Sequence, residues 1–509
     1  MPLPINEIGV VSYIVSRGYC HITVNARGTG KSTGVRPFQF SREEQRDLVD
    51  TIEWVASQEW CDGNVGMIGM SYFAVMQYFA AAARPPPLKA IFPYLGFTNF
   101  YRHFAYHGGA FQSDFFSFYY AQVGSTQKLS ISPTVRHLLS YVLDRRRIQA
   151  FITRMFLPMR FRMAKSLHPE ESWMRDFATL AFDQKYDGEF YREKSATPVL
   201  EKIDIPICIG TNWGNPGLHM MGAFEAWHRV RSPQKKMFIG PTEPLWPWEN
   251  YQDELLAWYD YYLKGIENGV GGLPPVRYWL QGAKCWKSAS DWPLPDARKK
   301  RLFLAPGSED NLAEHQLREE IPDPDSGSLS FVAIPRGMIY PKELEKYEAQ
   351  VLSYVTEPFE RDTEVTGPVR LHLVISSSAI DTHIIARIAD LSPEGKTHKL
   401  SFGWLQASHR RVNLDPSTVT EIVHDHRSSE ALIPFEAAVL DVSLTPLANL
   451  FKAGHKLRLE IGSRPDILGA TFDEGFVYFP YDAPPYSARN VIYHGAQGGS
   501  FLEVEIRGE

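Results

Sequence analysis

The chain has 509 residues, of which 44% are hydrophobic and 22% are charged, and its formal net charge is −6. This composition is typical of a globular protein with more than one packed core, and the charge gives no reason to expect nucleic acid as a partner. Residues 1–18 lack the pattern of a signal peptide, and no stretch reaches the roughly 18 consecutive apolar residues of a membrane-spanning helix. We therefore expect a cytoplasmic protein that does not bind a membrane.

The four cysteines, at positions 20, 61, 208 and 285, are widely scattered. None of them forms a CxxC pair or a Cys/His spacing typical of a metal site. Cys20 and Cys208 lie in apolar runs, where a small buried thiol is the usual interpretation. The pattern predicts a reducing compartment without disulfides, and no motif of the chain indicates a metal or a cofactor.

The first hundred residues alternate between the two periodicities of strands and helices. The predicted elements, in chain order, are a buried strand at 18–24, a helix at 41–58 capped by Ser41, a strand at 64–69, a helix at 72–84 and a strand at 88–92. Alternating strands and helices predict a parallel sheet with right-handed crossovers.

Further along the chain the pattern changes twice. Residues 104–198 are rich in aromatic residues, arginine and methionine, carry helical periodicity, and predict a helical cap over an active site. Strands of the first sheet resume at 205–210 and 236–239, followed by a helix at 254–263. From 275 onwards short alternating strands predict a β-sandwich, the first of them at 277–280. The predicted division is a sheet domain at 1–103 and 199–274, the cap at 104–198, and an all-β domain at 275–509.

The best candidate nucleophile is Ser71, in the stretch Gly69-Met70-Ser71-Tyr72 between a predicted strand and a predicted helix. This is the setting of a nucleophile elbow, which needs small residues because the strand and the helix pass closely. Gly69 stands two residues before the serine, but Phe73 occupies the second glycine position of the pattern. The backbone N–H of Tyr72 would then be one oxyanion donor. The alternative is an ordinary serine at a helix N-terminus.

A second glycine-rich stretch, Arg27-Gly28-Thr29-Gly30-Lys31-Ser32, superficially suggests a phosphate-binding loop. That loop requires a glycine five residues before Gly30, where the chain has Asn25. We therefore expect no nucleotide cofactor.

Several stretches together resemble the cocaine-esterase-like (CocE/NonD) hydrolases, which are related to the X-Pro dipeptidyl-peptidases. They are Asn25 to Ser32, Trp60 to Met67, Gly69 to Tyr72, Tyr262 to Gly265, Asp291 to Pro295, Ser376 to Thr382 and Phe451 to Arg458. The resemblance implies an α/β-hydrolase domain with an inserted helical cap and a C-terminal jelly-roll (galactose-binding-like) domain. It also implies hydrolysis of an ester or amide by a Ser-His-Asp triad.

The chain departs from that family at three places. The turn that holds the family's acid reads Asn212-Trp213-Gly214-Asn215 here, so Asn215 replaces the carboxylate and can orient an imidazole without balancing its charge. The turn that holds the family's histidine reads Gly240-Pro241-Thr242-Glu243-Pro244, which leaves Glu243 as a carboxylate. The family also has sheet and an oxyanion-binding tyrosine before the Arg-Gly-Thr-Gly turn, and this chain starts too late to carry that segment, so we expect a weak or missing second donor.

His219 is the nearest replacement base, four residues after Asn215 at the start of a predicted helix. The hypothesis requires its ring to lie within about 3–4 Å of the Ser71 hydroxyl. The alternative is a structural histidine at a helix terminus, and His103 and His107 are further candidates.

Three functions are open at this point. The first is a serine hydrolase that acts on a small-molecule substrate through Ser71 and a displaced base. The second is a hydrolase-fold enzyme without hydrolysis, such as a cyclase, a lyase or an acyl transferase for a polyketide-like product, and the third is a non-catalytic binding protein. A homodimer is compatible with the sequence.

Overall fold

The computed structural model describes residues 9, 11–36, 38–112, 181–242, 248–307, 314–335, 349–463, 484–495 and 498–507. Within them the chain forms two large sheets, one with α-helices on its faces and one that is almost entirely antiparallel. No helix in these ranges is long and apolar enough to cross a membrane.

The first sheet has six strands in the order β1-β2-β5-β6-β7-β8. The strands are β1 (Val65–Met70), β2 (Leu88–Tyr94), β5 (Ile207–Asn212), β6 (Lys235–Gly240), β7 (Val276–Leu280) and β8 (Cys285–Ala289). All neighbouring pairs are parallel except β7 and β8. The predicted parallel sheet is confirmed, and its carboxyl ends place residues 71, 95, 213 and 241 along one edge.

Six α-helices are described, and most of them accompany this sheet. They are α1 (Val11–Val15), α2 (Arg42–Ala56), α3 (Tyr72–Ala83), α4 (Glu189–Arg192), α5 (Met220–Arg229) and α6 (Trp248–Lys264). Ser41 is confirmed as the N-cap residue of α2, because its hydroxyl accepts a hydrogen bond from the Glu44 N–H at 3.2 Å. Every residue of α3 from Ala74 to Ala81 is buried, which explains why its sequence lacks a polar face.

The predicted strand at 18–24 is wrong. The segment carries no strand hydrogen bonds, although it borders a cavity of about 1160 Å³ beside β1. Among the described residues, β1 pairs only with β2. Cys20 is exposed there rather than buried, whereas Cys208 on β5 is buried as expected. An alternating apolar pattern favours a strand only when a neighbouring strand supplies the ladder.

Most of the predicted cap, residues 113–180, lies outside the described residues. The part next to the sheet consists of a π-helix at Tyr101–Ala105 and a hairpin of β3 (Tyr106–His107) and β4 (Ala110–Phe111). The C-terminal end of the predicted cap contains α4 and the start of a 3-10 helix at Thr197–Lys202.

The second sheet is the predicted all-β domain and curls into a barrel-like form, because β13 pairs with β18 on one side and with β21 on the other. Its strands are β9 (Ala297–Ala305), β10 (His315–Arg318), β11 (Ser328–Ala333), β12 (Val351–Val355), β13 (Thr363–Ser377), β14 (His383–Leu391), β15 (Thr397–Gln406), β18 (Ala438–Phe451), β19 (Lys456–Gly462), β20 (Ala488–Tyr493) and β21 (Phe501–Arg507). A short separate hairpin joins β16 (Val412–Asn413) and β17 (Val423–His424).

One strand was assigned to the wrong sheet. The strand predicted at 277–280 exists as β7, but it pairs parallel with β6 and extends the first sheet. Its end still contacts the second sheet, since the Gln281 N–H donates to the Ala448 carbonyl at 3.0 Å. The two sheets are therefore tied together directly after β7.

Candidate active site

Ser71 occupies a strained turn between β1 and α3. Its backbone angles are φ 56° and ψ −120°, a combination that residues other than glycine rarely adopt. Its N–H donates to the Tyr94 carbonyl at 3.1 Å, and its own carbonyl accepts from the N–H groups of Ala74 and Val75. These bonds hold the turn at the carboxyl end of β1, as in a nucleophile elbow.

The close approach that such an elbow needs is supplied by a glycine that the sequence analysis missed. A Cβ placed on Gly96, just after β2, would lie 3.0 Å from the Cβ of Ala74 and from the Tyr78 ring. Phe73 does not obstruct this contact, because it lines the cavity beside β1 instead. Phe73, which stands at the second glycine position of the elbow pattern, therefore leaves this approach open.

Tyr72 is the first residue of α3. The first N–H groups of an α-helix have no partner inside the helix, and the helix dipole makes this end attractive to negative charge. The role of the Tyr72 amide as an oxyanion donor stays a prediction, with which its place at the start of α3, directly after Ser71, is compatible. The Tyr72 ring packs on Phe40, with ring centroids 5.1 Å apart.

The turn after β5 holds two asparagines that bond to each other. The Asn215 side-chain N–H donates to the Asn212 Oδ1 at 3.0 Å, and the Asn212 side chain donates to the Tyr94 hydroxyl at 3.2 Å. The Asn215 carbonyl also accepts from the His219 N–H at 3.4 Å. Asn215, which the resemblance aligns with the family's acid, is thus fixed by its own turn, and within the described residues no hydrogen bond joins its side chain to a histidine.

The turn after β6 is described only up to Thr242, so Glu243 lies outside the described residues. Tyr251 of α6 closes over the start of this turn, because a Cβ on Gly240 would lie 2.6 Å from the Tyr251 hydroxyl.

His219 immediately precedes α5 and is buried. Burial lowers its pKa to about 3, so the ring is neutral at pH 7. Its Nδ1 atom is buried and has no hydrogen-bond partner among the described residues. Within the described residues no hydrogen bond joins the ring to the Ser71 hydroxyl, so its role as the base stays a prediction.

A row of aromatic rings connects the elbow to His219. The Phe40 ring, which packs on Tyr72, lies 5.5 Å from the Phe97 ring, and the Phe97 ring stacks on His219 at 6.5 Å with an angle of 8° between the planes. Phe100 and Phe104 extend the same cluster. Tyr72, the neighbour of Ser71, and His219 therefore contact one aromatic cluster.

His103 belongs to a buried ionic cluster that joins the two sheets. Its Nε2 lies 3.3 Å from Glu421, and the Arg102 guanidinium binds Glu421 at 2.6 Å and Glu225 at 2.8 Å. Burial tends to raise the pKa of Glu421, but the charges of Arg102 and His103 hold it well below its usual range. His103 is thereby committed to this cluster.

His107 lies on the hairpin against Trp404, with ring centroids 5.3 Å apart, and burial lowers its pKa to about 3. Among the described residues, no group of three or more His, Cys, Asp and Glu side chains could hold a metal ion. The apolar 1160 Å³ cavity is lined by Tyr72 and Phe73 but not by Ser71, so it lies beside the elbow rather than at its hydroxyl.

Comparison with known proteins matches nearly the whole chain to two family models. Residues 6–244 match the X-Pro dipeptidyl-peptidase (S15 family), and residues 268–503 match the X-Pro dipeptidyl-peptidase C-terminal non-catalytic domain.

Named relatives and a solved structure agree with these matches. A putative serine esterase of Mycobacterium bovis is 26% identical over 522 residues, covering 88% of this chain and 78% of the relative. The cocaine esterase of a Rhodococcus strain is 27% identical over 495 residues, covering 88% of this chain and 81% of that enzyme. The crystal structure of a CocE/NonD family hydrolase from Staphylococcus aureus has the same fold, with a TM-score of 0.73 at 24% identity over 95% of this chain and 78% of that chain.

Proposed function

Because this chain belongs to the serine hydrolases of the CocE/NonD type, with their X-Pro dipeptidyl-peptidase relatives, we propose that it hydrolyses an ester or amide bond of a small acyl substrate with Ser71 as nucleophile. The observation that carries the proposal is the elbow itself: Ser71 at φ 56°, held by Tyr94 and followed directly by α3. A serine in a structural role at a helix start has no need of this strained backbone.

The reaction would proceed in two steps. The Ser71 oxygen attacks the acyl carbon, its proton passes to a base, and the base returns that proton to the leaving alcohol or amine. Water then attacks the acyl-serine ester and releases the acid. The Tyr72 N–H would stabilise the negative oxygen in both tetrahedral intermediates.

His219 is the base that we propose for both steps. It lies on the same aromatic cluster as the elbow, and its ring is neutral at pH 7, as a proton acceptor must be. The same burial that lowers its pKa to about 3 makes it a weak base, which is one reason to expect slow turnover. Hydrogen bonds between a base and its nucleophile are often long in unliganded enzymes and tighten when substrate binds. Asn215 would fix the turn before His219 without balancing its charge, and the carboxylate of Glu243 is the remaining candidate for that task.

The aromatic cluster belongs to the packed core beneath the elbow. Phe40, Phe97, Phe100 and Phe104 each expose 3% of their surface or less, and the ring centroids of Phe97, Phe100 and Phe104 lie 4.7–5.8 Å apart. The cluster supports the elbow and His219, and it sets no preference for one acyl group.

Turnover should be slow for two further reasons. The His219 imidazolium lacks a carboxylate partner among the described residues of the site. The Tyr72 amide is the single donor that we assign to the oxyanion. Losing one such donor costs on the order of 3 kcal/mol of transition-state stabilisation.

The test is hydrolysis of p-nitrophenyl acetate, butyrate and benzoate by the purified protein and by Ser71→Ala. We expect slow hydrolysis by the native protein and none by Ser71→Ala. Tyr72→Phe keeps the backbone N–H and should therefore retain the hydrolysis. Hydrolysis that is unchanged in Ser71→Ala would contradict the proposal. The family models and the named relatives give no support to a cyclase, a lyase or a binding protein.

A further inference from the structure

Two buried polar atoms without partners lie on neighbouring segments of the candidate site. One is Nδ1 of His219, and the other is the side-chain oxygen Oε1 of Gln112, the residue that follows β4. Gln112 has no exposed surface and His219 exposes only 4% of its surface. An unpaired polar atom in such a place is costly, so its presence requires an explanation.

Gln112 is held toward the turn that carries His219. Its backbone N–H donates to the Ala105 carbonyl at 2.9 Å, and its side-chain N–H donates to the Gly217 carbonyl at 3.2 Å. Gly217 is two residues before His219. The free oxygen of the Gln112 amide is thus anchored beside the segment that holds the imidazole.

The two atoms are not hydrogen-bonded to each other in this structure, but they are chemically complementary. A neutral imidazole has one N–H and one lone pair, and an amide oxygen can only accept. If Nδ1 carries the hydrogen, it can donate to Gln112, and Nε2 then keeps the lone pair that a general base needs.

We propose that Gln112 is the positioning residue for His219, whose Nδ1–H donates to the Gln112 side-chain oxygen when Nε2 takes the Ser71 proton. This inference rests on the proposed function, because it assigns the tautomer of the base. Gln112 would perform the orienting part of the role that the family's aspartate performs, and Asn215, whose side chain is engaged by Asn212, would not.

The experiment is a titration of His219 by NMR in protein labelled with ¹³C-histidine, with the signal assigned by its loss in His219→Gln. In the native protein His219 should not titrate between pH 8 and 5. In Gln112→Glu the new carboxylate should raise the pKa of His219 by about two pH units, so that the His219 signals begin to shift between pH 6 and 5. Asn215→Asp, the matched control, should change it by much less.

A His219 titration that stays unchanged in folded Gln112→Glu, or that moves equally in Asn215→Asp, would overturn the inference. Should Gln112→Glu not fold, Gln112→Met keeps the volume and removes the acceptor. It should then lower kcat/KM at least about 10-fold with KM unchanged, and unchanged kcat/KM would overturn the inference. The titration does not depend on catalysis, so a His219 shift without any Ser71-dependent hydrolysis would refute the proposed function alone.

Discussion

The guanidinium of Arg102, on the π-helix next to the first sheet, lies 2.6 Å from the carboxylate of Glu421, which belongs to the all-β domain. Both side chains are largely buried, with 6% and 13% of their surfaces exposed. A buried ion pair that loses one partner leaves an uncompensated charge, whereas an exposed pair contributes little. The contact therefore fixes the π-helix against the second domain.

Glu421→Gln should destabilise the protein by about 3 kcal/mol, because Arg102 and His103 lose the charge that faces them. The matched control is Asp362→Asn, which breaks an exposed pair with Lys452 in the same domain and should destabilise the protein far less. Urea denaturation of the three proteins measures both values. Equal losses in the two variants would show that the cluster does not join the domains as described.

Ser71→Gly should make the protein more stable while it removes the nucleophile. Glycine adopts a positive φ without steric cost, and a strained non-glycine residue costs on the order of 1–3 kcal/mol. Ser71→Ala also removes the hydroxyl but keeps the Cβ, so the free energy of unfolding should rise in the glycine variant relative to alanine by about 1 kcal/mol or more. Equal stability of the two variants would show that the elbow is unstrained.

Gly222→Ala should reduce both stability and hydrolysis. A Cβ on Gly222 of α5 would lie 2.5 Å from the Gly96 carbonyl oxygen and from the Phe97 Cα. We expect α5, and with it His219, to shift away from Phe97, at a cost of about 1–3 kcal/mol. Gly272→Ala is the control, since nothing lies within 4 Å of its Cβ. Denaturation curves and kcat/KM of both variants test the expected loss of stability and hydrolysis. A Gly222→Ala variant with the stability and kcat/KM of the native protein would contradict the prediction.

The protein should lose stability on mild acidification. Burial lowers the pKa of His107 and His219 to about 3 and that of His228, His409 and His494 to about 4. The unfolded chain binds protons at these rings below pH 6.5, whereas the folded chain does so only near pH 3–4. Each ring therefore lowers the free energy of unfolding by up to about 1.4 kcal/mol per pH unit as the pH falls through this window.

Denaturation at pH 7.5, 6.0 and 5.0 measures this slope. His494→Gln removes one of the rings and should reduce the slope by about the value for one proton. A free energy of unfolding that is constant from pH 7.5 to 5.0 would contradict the burial of these histidines.

Local patterns of the sequence predict the elements that depend on neighbouring residues. The Ser41 cap, the elbow at Ser71 and the alternation of strands and helices are such features, and the structure confirms them. The segment at 18–24 fails because an apolar alternation does not encode its pairing partner. For the same reason β7 was recognised as a strand but assigned to the wrong sheet.

The parts of the site that depend on distant residues could not be predicted. Arg102 and Glu421 are 319 positions apart, and no local signal connects them. Gly96 and Gly222 matter because α5 crosses the loop after β2, which only the packed structure reveals. The sequence singled out Asn215, but its hydrogen bond to Asn212 follows from the fold of the turn.

The central claim is that Ser71 is an activated nucleophile, and covalent labelling with a fluorophosphonate probe tests it most directly. Intact mass spectrometry should show one phosphonyl group per chain after prolonged incubation, peptide mapping should locate it on Ser71, and Ser71→Ala should take up none. A native protein that stays unlabelled, or one in which the label is found elsewhere and persists in Ser71→Ala, would contradict the account.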